Sequence, residues 1–291
     1  MSKKPTTLGI GIIGGGFIAR FHIRAWVGVR DADILGIFDP DKARAREACA
    51  LAQLIPAEVK KGFGLELGKC VPMDSDAEHK YRTGLFDDVN RANVKSYPEE
   101  IFEICGFSFG GEPYVLDNPE GDYPWEIGEP SPRVGLNTGC GDRWPTRLWP
   151  EEHWLALARS LKGLGLGVLV LGGEYEHVKN MRIAEASGAS YAGHFPLSRF
   201  TSLVDRCDVV VTSVTMALHV AIGLGKPVIL FNNIFNQNEF ELYGRGEILE
   251  PDVECIGCYR GICELECMRR IPVERVVEAC LRWLPDLGGG P

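Results

Sequence analysis

The chain has 291 residues, of which 45% are hydrophobic and 24% are charged. This composition excludes a disordered or fibrous protein, and the length predicts two domains or one large α/β domain. The formal net charge is −9 and no cluster of five or more basic residues occurs, so we expect no nucleic acid as the main partner.

The sequence contains no run of about 18 apolar residues, so no transmembrane segment is expected. Its first residues are basic, as in a signal peptide, but the apolar stretch that follows is short, is interrupted by glycines and lacks a small-residue cleavage site. We therefore expect a cytoplasmic protein, whose ten cysteines are thiols or metal ligands rather than disulfides.

The first predicted elements form one mononucleotide-binding unit. Residues 8–53 predict the order strand, helix, strand, helix. A glycine-rich motif, G-x-G-x-x-A, follows the first strand and is formed by Gly14, Gly16 and Ala19. Asp39 ends the second strand. This arrangement is typical of a dinucleotide site, where glycines let the backbone approach a pyrophosphate and the carboxylate binds a ribose hydroxyl.

The stretch GIGIIGGGFIARFHIRAWVGVRDADILGIFDPDKARA resembles the start of the Gfo/Idh/MocA family of oxidoreductases, over about residues 8–50. This resemblance implies a Rossmann-like fold and NAD(P) as a cofactor. It also implies a lysine in an E-K-P motif, and this chain has no such motif. The alternatives are that the glycines only pack a helix on a strand, or that the unit binds a nucleotide weakly without a nicotinamide site.

The middle of the chain, residues 54–132, is a patchwork of short elements and turn residues. Helices are predicted over 74–83 and 98–105. Asp74, the first acid of a D-x-D pair, is expected to be a helix N-cap rather than a metal ligand. The stretch 118–132 is dense in proline, glycine and acidic residues, so it is the predicted linker.

From residue 133 onward, apolar strands alternate with helical segments, which predicts a doubly wound parallel sheet. The predicted strands cover 133–138, 167–172, 208–212 and 227–231. The predicted helices cover 151–163, 175–187, 197–206, 215–224 and 272–284.

Three motifs follow successive strands of this series, where open α/β sheets bind their ligands. In the first, a strand ends at Thr138 and a glycine-rich turn follows, so backbone amides and the guanidinium groups of Arg143 and Arg147 would suit a diphosphate. In the second, Gly173 follows a strand, and the carboxylate of Glu176 would meet a ribose or a base.

The third motif lies at the end of a buried strand and the first turn of a helix, which favours an anion. Its hydroxyl, thioether and imidazole groups are those of Thr212, Ser213, Thr215, Met216 and His219. Met216 is expected either in the core or along the base pocket.

The segments KKGFGLELGK, SYPEEIFEICGF, RWPTRLWPEEHW and TSVTMALHVAIGLGKPV resemble glycosyltransferase family 9, the heptosyltransferase-like enzymes, over about residues 54–280. This resemblance implies a GT-B fold and a role in lipopolysaccharide biosynthesis. It also implies a nucleotide-sugar donor such as ADP-heptose, a saccharide or lipid-linked saccharide acceptor and no cofactor for transfer. The cation of the family falls on Arg147, and its hydroxyl-and-histidine turn falls on Thr215 to His219.

Two departures from the family pattern bear on activity. Val214 occupies a position that is commonly acidic. In addition, the resemblance implies a first strand and a turn whose aspartate is the general base, and the oxidoreductase-like unit stands in that place. The catalytic residues therefore remain unknown, and transfer is expected to be impaired by the loss of the base.

Four cysteines lie close together in the sequence as C-x2-C-x4-C-x3-C. They are Cys255, Cys258, Cys263 and Cys267. This spacing suits a structural zinc ion or an iron–sulfur cluster, and buried reduced thiols or redox disulfides are the alternatives.

The sequence thus predicts an α/β protein with a GT-B-like fold. It would comprise an oxidoreductase-like leader over 1–53, the remnant of a transferase N-terminal domain with its linker over 54–132, and a nucleotide-sugar domain over 133–291. The favoured function is glycosyl transfer, with peripheral membrane contact as an option. The alternatives are an NAD(P)-dependent oxidoreductase and a non-catalytic nucleotide-binding fusion.

Overall fold

The computed structural model describes residues 61–141 and 144–284, together with the backbone of two strands in the N-terminal part. The chain divides into two compact units, residues 1–115 and residues 116–291. The predicted division into three segments, with boundaries after residues 53 and 132, stays a prediction.

The two N-terminal strands are parallel neighbours, as a mononucleotide-binding unit requires. Strand β1 (Leu8–Ile13) pairs with β2 (Ala32–Phe38). Strands β3 (Phe63–Glu66) and β4 (Lys69–Pro72) then form an antiparallel hairpin, which the sequence analysis does not predict. Each of these strands has only four residues, and the alternation of side chains is too short to be recognised.

Three helices follow the hairpin in the described part of the first unit. They are α1 (Ser75–Leu85), α2 (Asp87–Ala92) and α3 (Tyr97–Ile104). The N-cap expected at Asp74 is present, since its Oδ1 accepts hydrogen bonds from the backbone of Asp76 and Ala77 at 3.0 and 2.9 Å. Helices α1 and α3 are joined by an ion pair of 2.5 Å between Lys80 and the buried Glu100.

The second unit is built on a parallel sheet of five strands, which confirms the predicted α/β fold. Its strands are β5 (Arg133–Asn137), β6 (Gly167–Leu171), β7 (Val209–Ser213), β8 (Val228–Phe231) and β9 (Gly246–Leu249), in the spatial order β6-β5-β7-β8-β9. Its helices are α4 (Glu151–Gly163), α5 (His177–Ser187), α6 (Leu197–Val204), α7 (Met216–Gly223) and α8 (Val273–Trp283).

The predicted strands and helices of this unit are found within a few residues of their expected limits. Strand β9 is present in the structure but is not among the strands predicted from the sequence. It is an edge strand of four residues that is buried only at its last one, so it lacks the continuous apolar run of the central strands.

The core of the second unit is formed by the central strands and by helices α4 and α8. The ring of Trp149 lies 5.0 Å from that of Trp154 and 4.9 Å from that of Phe231. The indole N–H of Trp149 donates a 3.1 Å hydrogen bond to the Ile271 carbonyl, which satisfies this polar group inside the core.

The longest helix in the described part of the chain is α4, with 13 residues. No helix there has both the length and the hydropathy that crossing a bilayer requires.

The register of the sheet places the carboxyl ends of its strands side by side. Asn137 at the end of β5 pairs with Leu171 on one side and Thr212 on the other, and Ser213 pairs with Phe231. The loops that follow these strands therefore meet at one edge of the sheet, which we call the carboxyl edge.

We expect Gly135→Ala to destabilise the protein, because Gly135 in β5 is packed on both sides. A Cβ at this position would lie 2.6 Å from Cys207 Sγ and 2.9 Å from Leu171 Cδ1. Overpacking of this kind costs about 1–3 kcal/mol of unfolding free energy, measurable by urea denaturation.

The matched control is Gly163→Ala at the end of α4, where a Cβ would meet nothing within 4 Å. There alanine should leave stability unchanged or raise it slightly, because alanine favours the helical conformation. Equal effects of the two substitutions would contradict the packing described for β5.

Candidate functional site

The carboxyl edge carries a network of buried polar side chains. Asn137 Nδ2 donates to Thr212 Oγ1 at 3.0 Å and to Thr215 Oγ1 at 3.3 Å. Thr215 in turn caps α7, since its Oγ1 accepts a hydrogen bond of 3.1 Å from the Ala217 amide. The predicted hydroxyl cluster therefore exists, and its oxygens hold the turn after β7 against the end of β5.

Arg147 joins the turn after β5 to the turn after β7. It lies in a short 3₁₀ helix, Pro145–Arg147, and only 9% of its surface is exposed. Its guanidinium donates to the Cys140 carbonyl at 2.5 Å and to the Val214 carbonyl. Ser213 Oγ donates to the Arg147 carbonyl at 3.2 Å, so backbone and side chain of this arginine both fix the turns.

Aromatic rings cover the Arg147 guanidinium. Its central carbon lies 5.6 Å from the ring centres of both Trp144 and Phe235. Burial among rings and carbonyls keeps a positive charge at the carboxyl edge with little water around it, and a charge in such surroundings attracts an anion more strongly than a surface charge does.

The end of β5 is also tied to helix α5. Thr138 Oγ1 donates to Asn180 Oδ1 at 2.5 Å, and Asn180 Nδ2 donates to the Leu171 carbonyl at 3.1 Å. Lys179 Nζ donates to the Thr138 carbonyl at 2.9 Å. Burial lowers the pKa of Lys179, while the nearby Glu176 carboxylate acts to raise it.

Glu176 lies against two glycine backbones. Its Oε2 accepts a hydrogen bond of 2.9 Å from the Gly173 amide. A Cβ on Gly139 would lie only 2.3 Å from the Glu176 carboxyl carbon, so the carboxylate occupies the space that glycine leaves open. Glu176 of the second predicted motif thus contacts the glycine-rich turn, which is the first predicted motif.

Helix α7 presents Met216 and His219. The sequence predicts Met216 either in the core or along the base pocket. This residue is 43% exposed, so the prediction that it lies in the core is wrong. Burial lowers the pKa of His219, which favours its neutral ring.

Several predicted site residues lie outside the described residues. They are Arg143 of the glycine-rich turn and the dinucleotide motif of Gly14, Gly16, Ala19 and Asp39. Their proposed roles stay predictions.

The four cysteines of the C-x2-C-x4-C-x3-C segment, which we call the cysteine loop, lie beside the carboxyl edge. Cys267 Sγ accepts a hydrogen bond of 3.3 Å from Asn233 Nδ2, which also donates to the Thr146 carbonyl at 2.8 Å. Burial raises the pKa of Cys267, and the three other thiols of the loop act in the same direction. Across the described residues, no three metal-ligating side chains are arranged to hold a metal ion.

No motif of the sequence predicts the amide and ammonium groups of this site. They are those of Asn137, Lys179, Asn180, Asn232 and Asn233. The asparagines at 137, 232 and 233 directly end or follow strands β5 and β8, and this position was the signal that could have identified them. Lys179 and Asn180 lie in helix α5 and not at the end of a strand, so their positions in the sequence do not indicate a role in the site.

Two segments of the chain match the models of two different protein families. Residues 129–245 match the family model of glycosyltransferase family 9 (heptosyltransferase). Residues 8–60 match the model of an oxidoreductase family with an NAD-binding Rossmann fold.

A curated relative is lipopolysaccharide heptosyltransferase 2 of Salmonella typhimurium. It is 27% identical over 105 residues, which are 34% of this chain and 30% of the relative. The match therefore spans less than a third of the curated relative's length.

Two solved structures have a similar fold. The E. coli ADP-heptose LPS heptosyltransferase II has a TM-score of 0.55 and 15% identity, covering 95% of this chain and 98% of that one. A family 9 glycosyltransferase from Veillonella parvula has a TM-score of 0.57 and 18% identity, covering 85% of this chain and 72% of that one. The fold of the chain is thus GT-B-like, and the predicted resemblances to glycosyltransferase family 9 and to the Gfo/Idh/MocA oxidoreductases are confirmed.

Proposed function

We propose that the second unit binds a nucleoside-diphosphate sugar of the ADP-heptose type, as the donor of a family 9 glycosyl transfer. The observation that carries this proposal is the buried Arg147 guanidinium, which bridges the turns after β5 and β7 inside the segment matched by the family 9 model. A buried cation at the carboxyl edge of a parallel sheet is suited to a diphosphate.

The surroundings of Arg147 support a diphosphate at this edge. The glycine-rich turn around Gly139 and Gly141 brings backbone amides close to the sheet, and the N-terminus of α7 adds a partial positive charge. The nearby hydroxyl of Thr215 adds a polar group. Glu176 and Met216 would then contact the ribose or the base, as the sequence predicts.

In the proposed transfer, the acceptor hydroxyl oxygen attacks the anomeric carbon of the donor sugar. The bond from that carbon to the phosphate oxygen breaks, and its electron pair leaves with the nucleoside diphosphate. A general base takes the hydroxyl proton. Arg147 and the turn amides stabilise the departing diphosphate, which gains charge as the bond breaks.

The acceptor we propose is a saccharide or a lipid-linked saccharide. Two of the similar proteins named above are heptosyltransferases of lipopolysaccharide, which supports an acceptor of this class. The compartment we propose is the cytoplasm, and peripheral contact with a membrane would bring a lipid-linked acceptor to the site. The described cysteines are all free thiols, which suits a reducing compartment.

We expect Arg147→Ala to weaken ADP binding by about 1–3 kcal/mol, because a charged hydrogen bond to the diphosphate is lost. His219→Ala should also weaken ADP binding, by about 0.5–1.5 kcal/mol, the scale of one lost hydrogen bond. Isothermal titration calorimetry with ADP measures both effects.

The matched control for Arg147 is Arg159→Ala. The Arg159 side chain also donates to a carbonyl, that of Ala186, at 3.0 and 3.1 Å, but it is exposed on α4. This control should bind ADP like the unaltered protein. Unchanged ADP affinity in both site variants would contradict the proposal that the donor binds at the carboxyl edge.

We expect donor binding without efficient transfer. In the resembled fold the first N-terminal strand and its turn supply the base, and here residues 8–60 match the oxidoreductase family instead. Loss of a general base lowers rates by about 10²–10⁴-fold. Calorimetry with ADP-heptose, paired with an assay of sugar transfer to lipopolysaccharide core, tests this prediction. Rapid transfer would show that the chain has a working base.

A second candidate function is NAD(P) binding by the N-terminal segment. The match of residues 8–60 to an NAD-binding family and the parallel pairing of β1 and β2 favour it. Gly14, Gly16, Ala19 and Asp39 would be the binding residues. Thermal-shift assays with NAD, NADP and ADP separate this function from donor binding, because a ligand that binds only the folded state raises its apparent stability. Stabilisation by ADP without any turnover would favour a non-catalytic nucleotide-binding fusion.

We also propose that the cysteine loop holds a zinc ion or an iron–sulfur cluster. The proximity of the other three thiols to Cys267 supports this proposal, and their convergence on a metal would require the side chains to turn. Thiolate ligands lose their protons on binding, so the affinity for metal should fall as the pH is lowered. Metal analysis of anaerobically purified protein should find about one zinc ion or one iron cluster per chain. A stable metal-free protein would contradict the proposal.

A further inference from the structure

Lys179 occupies an unusual position for a lysine. It lies in the first turn of α5, which begins at His177, and its ammonium group is turned toward the end of β5 rather than into solvent. A cation near a helix N-terminus opposes the helix dipole. Burial also lowers the pKa of Lys179. Both effects disfavour a charge at this position, whereas the hydrogen bond to Thr138 and the nearby Glu176 carboxylate favour it.

Lys179 and Arg147 both donate hydrogen bonds to backbone carbonyls of the same turn. Arg147 donates to the Cys140 carbonyl at 2.5 Å, and Lys179 donates to the Thr138 carbonyl at 2.9 Å. Burial raises the pKa of Cys140, while the charges of both cations act to lower it, so both lie within electrostatic range of this thiol. The glycine-rich turn is thus flanked by two positive charges.

The Lys179 ammonium group has N–H donors beyond the one that it uses for the Thr138 carbonyl. Among the described residues, the Thr138 carbonyl is its one hydrogen-bond acceptor. An ammonium group has three N–H donors, and a diphosphate offers charged oxygens that can accept the others. Glu176, which lies against Gly139, partly balances the charge of Lys179.

We infer that Lys179 is a second cation for the diphosphate of the donor, beside the turn whose carbonyls both it and Arg147 contact. This inference rests on the proposed function, because it assigns a further residue to the same site. The ligand class is a nucleoside diphosphate. Lys179 would contact the phosphates, since its hydrogen bond goes to Thr138 at the start of the glycine-rich turn.

The test is calorimetry with ADP and with adenosine on Lys179→Gln, Lys179→Arg and the unaltered protein. Glutamine keeps a donor for the Thr138 carbonyl but removes the charge, so the local fold is retained. We expect Lys179→Gln to lose about tenfold in ADP affinity, the effect of one charged hydrogen bond, and to bind adenosine as before. Lys179→Arg should keep most of the ADP affinity.

The matched control is Arg182→Gln, one turn further along α5. Arg182 forms an exposed ion pair with Glu151 at 2.7 Å and should not affect ADP binding. ADP binding that responds to Arg147→Ala but not to Lys179→Gln overturns this inference alone. An equal loss of ADP and adenosine affinity in Lys179→Gln also overturns it, because it shows a structural role. If the unaltered protein does not bind ADP, the proposed function and this inference fail together.

Discussion

The bridge from the Arg147 guanidinium to the Cys140 and Val214 carbonyls is the interaction on which the carboxyl edge depends. It joins two loops that are far apart in the sequence, because the guanidinium donates to one backbone carbonyl in each of them. Rings of Trp144 and Phe235 cover the guanidinium, so the charge is held in place with little water around it. A fixed charge of this kind needs little reorganisation when an anion arrives.

Around this bridge, the site is built mainly from neutral amides and hydroxyls. Asn232 Nδ2 donates to Glu250 Oε1 at 2.6 Å, and Asn233 links the Thr146 carbonyl to the cysteine loop. Such side chains can pair with backbone groups without bringing further charge into the interior. The cysteine loop therefore contacts the segment that carries Arg147, so a change in the loop would reach the site through Asn233.

The chain combines segments that match different families. Binding of the donor and activation of the acceptor are therefore assigned to different segments. The sheet of residues 133–249 contains its own core and carries the buried Arg147 at its edge. The β1–β2 pair matches a family that binds a different nucleotide. In the proposed function, donor recognition would depend on the first of these, whereas acceptor activation in the resembled fold depends on the N-terminal part. Recognition of a donor can therefore persist where activation is lost.

The sequence by itself determined the alternation of strands and helices from residue 133, because buried parallel strands are continuous apolar runs and their helices are amphipathic. It also identified Arg147 and Thr215, which lie beside recognisable turns. Only the tertiary structure decided that Lys179 reaches the end of β5, across 41 residues of sequence. It alone showed the short hairpin β3–β4 and edge strand β9, because pairing with a neighbouring strand, rather than local pattern, stabilises such elements.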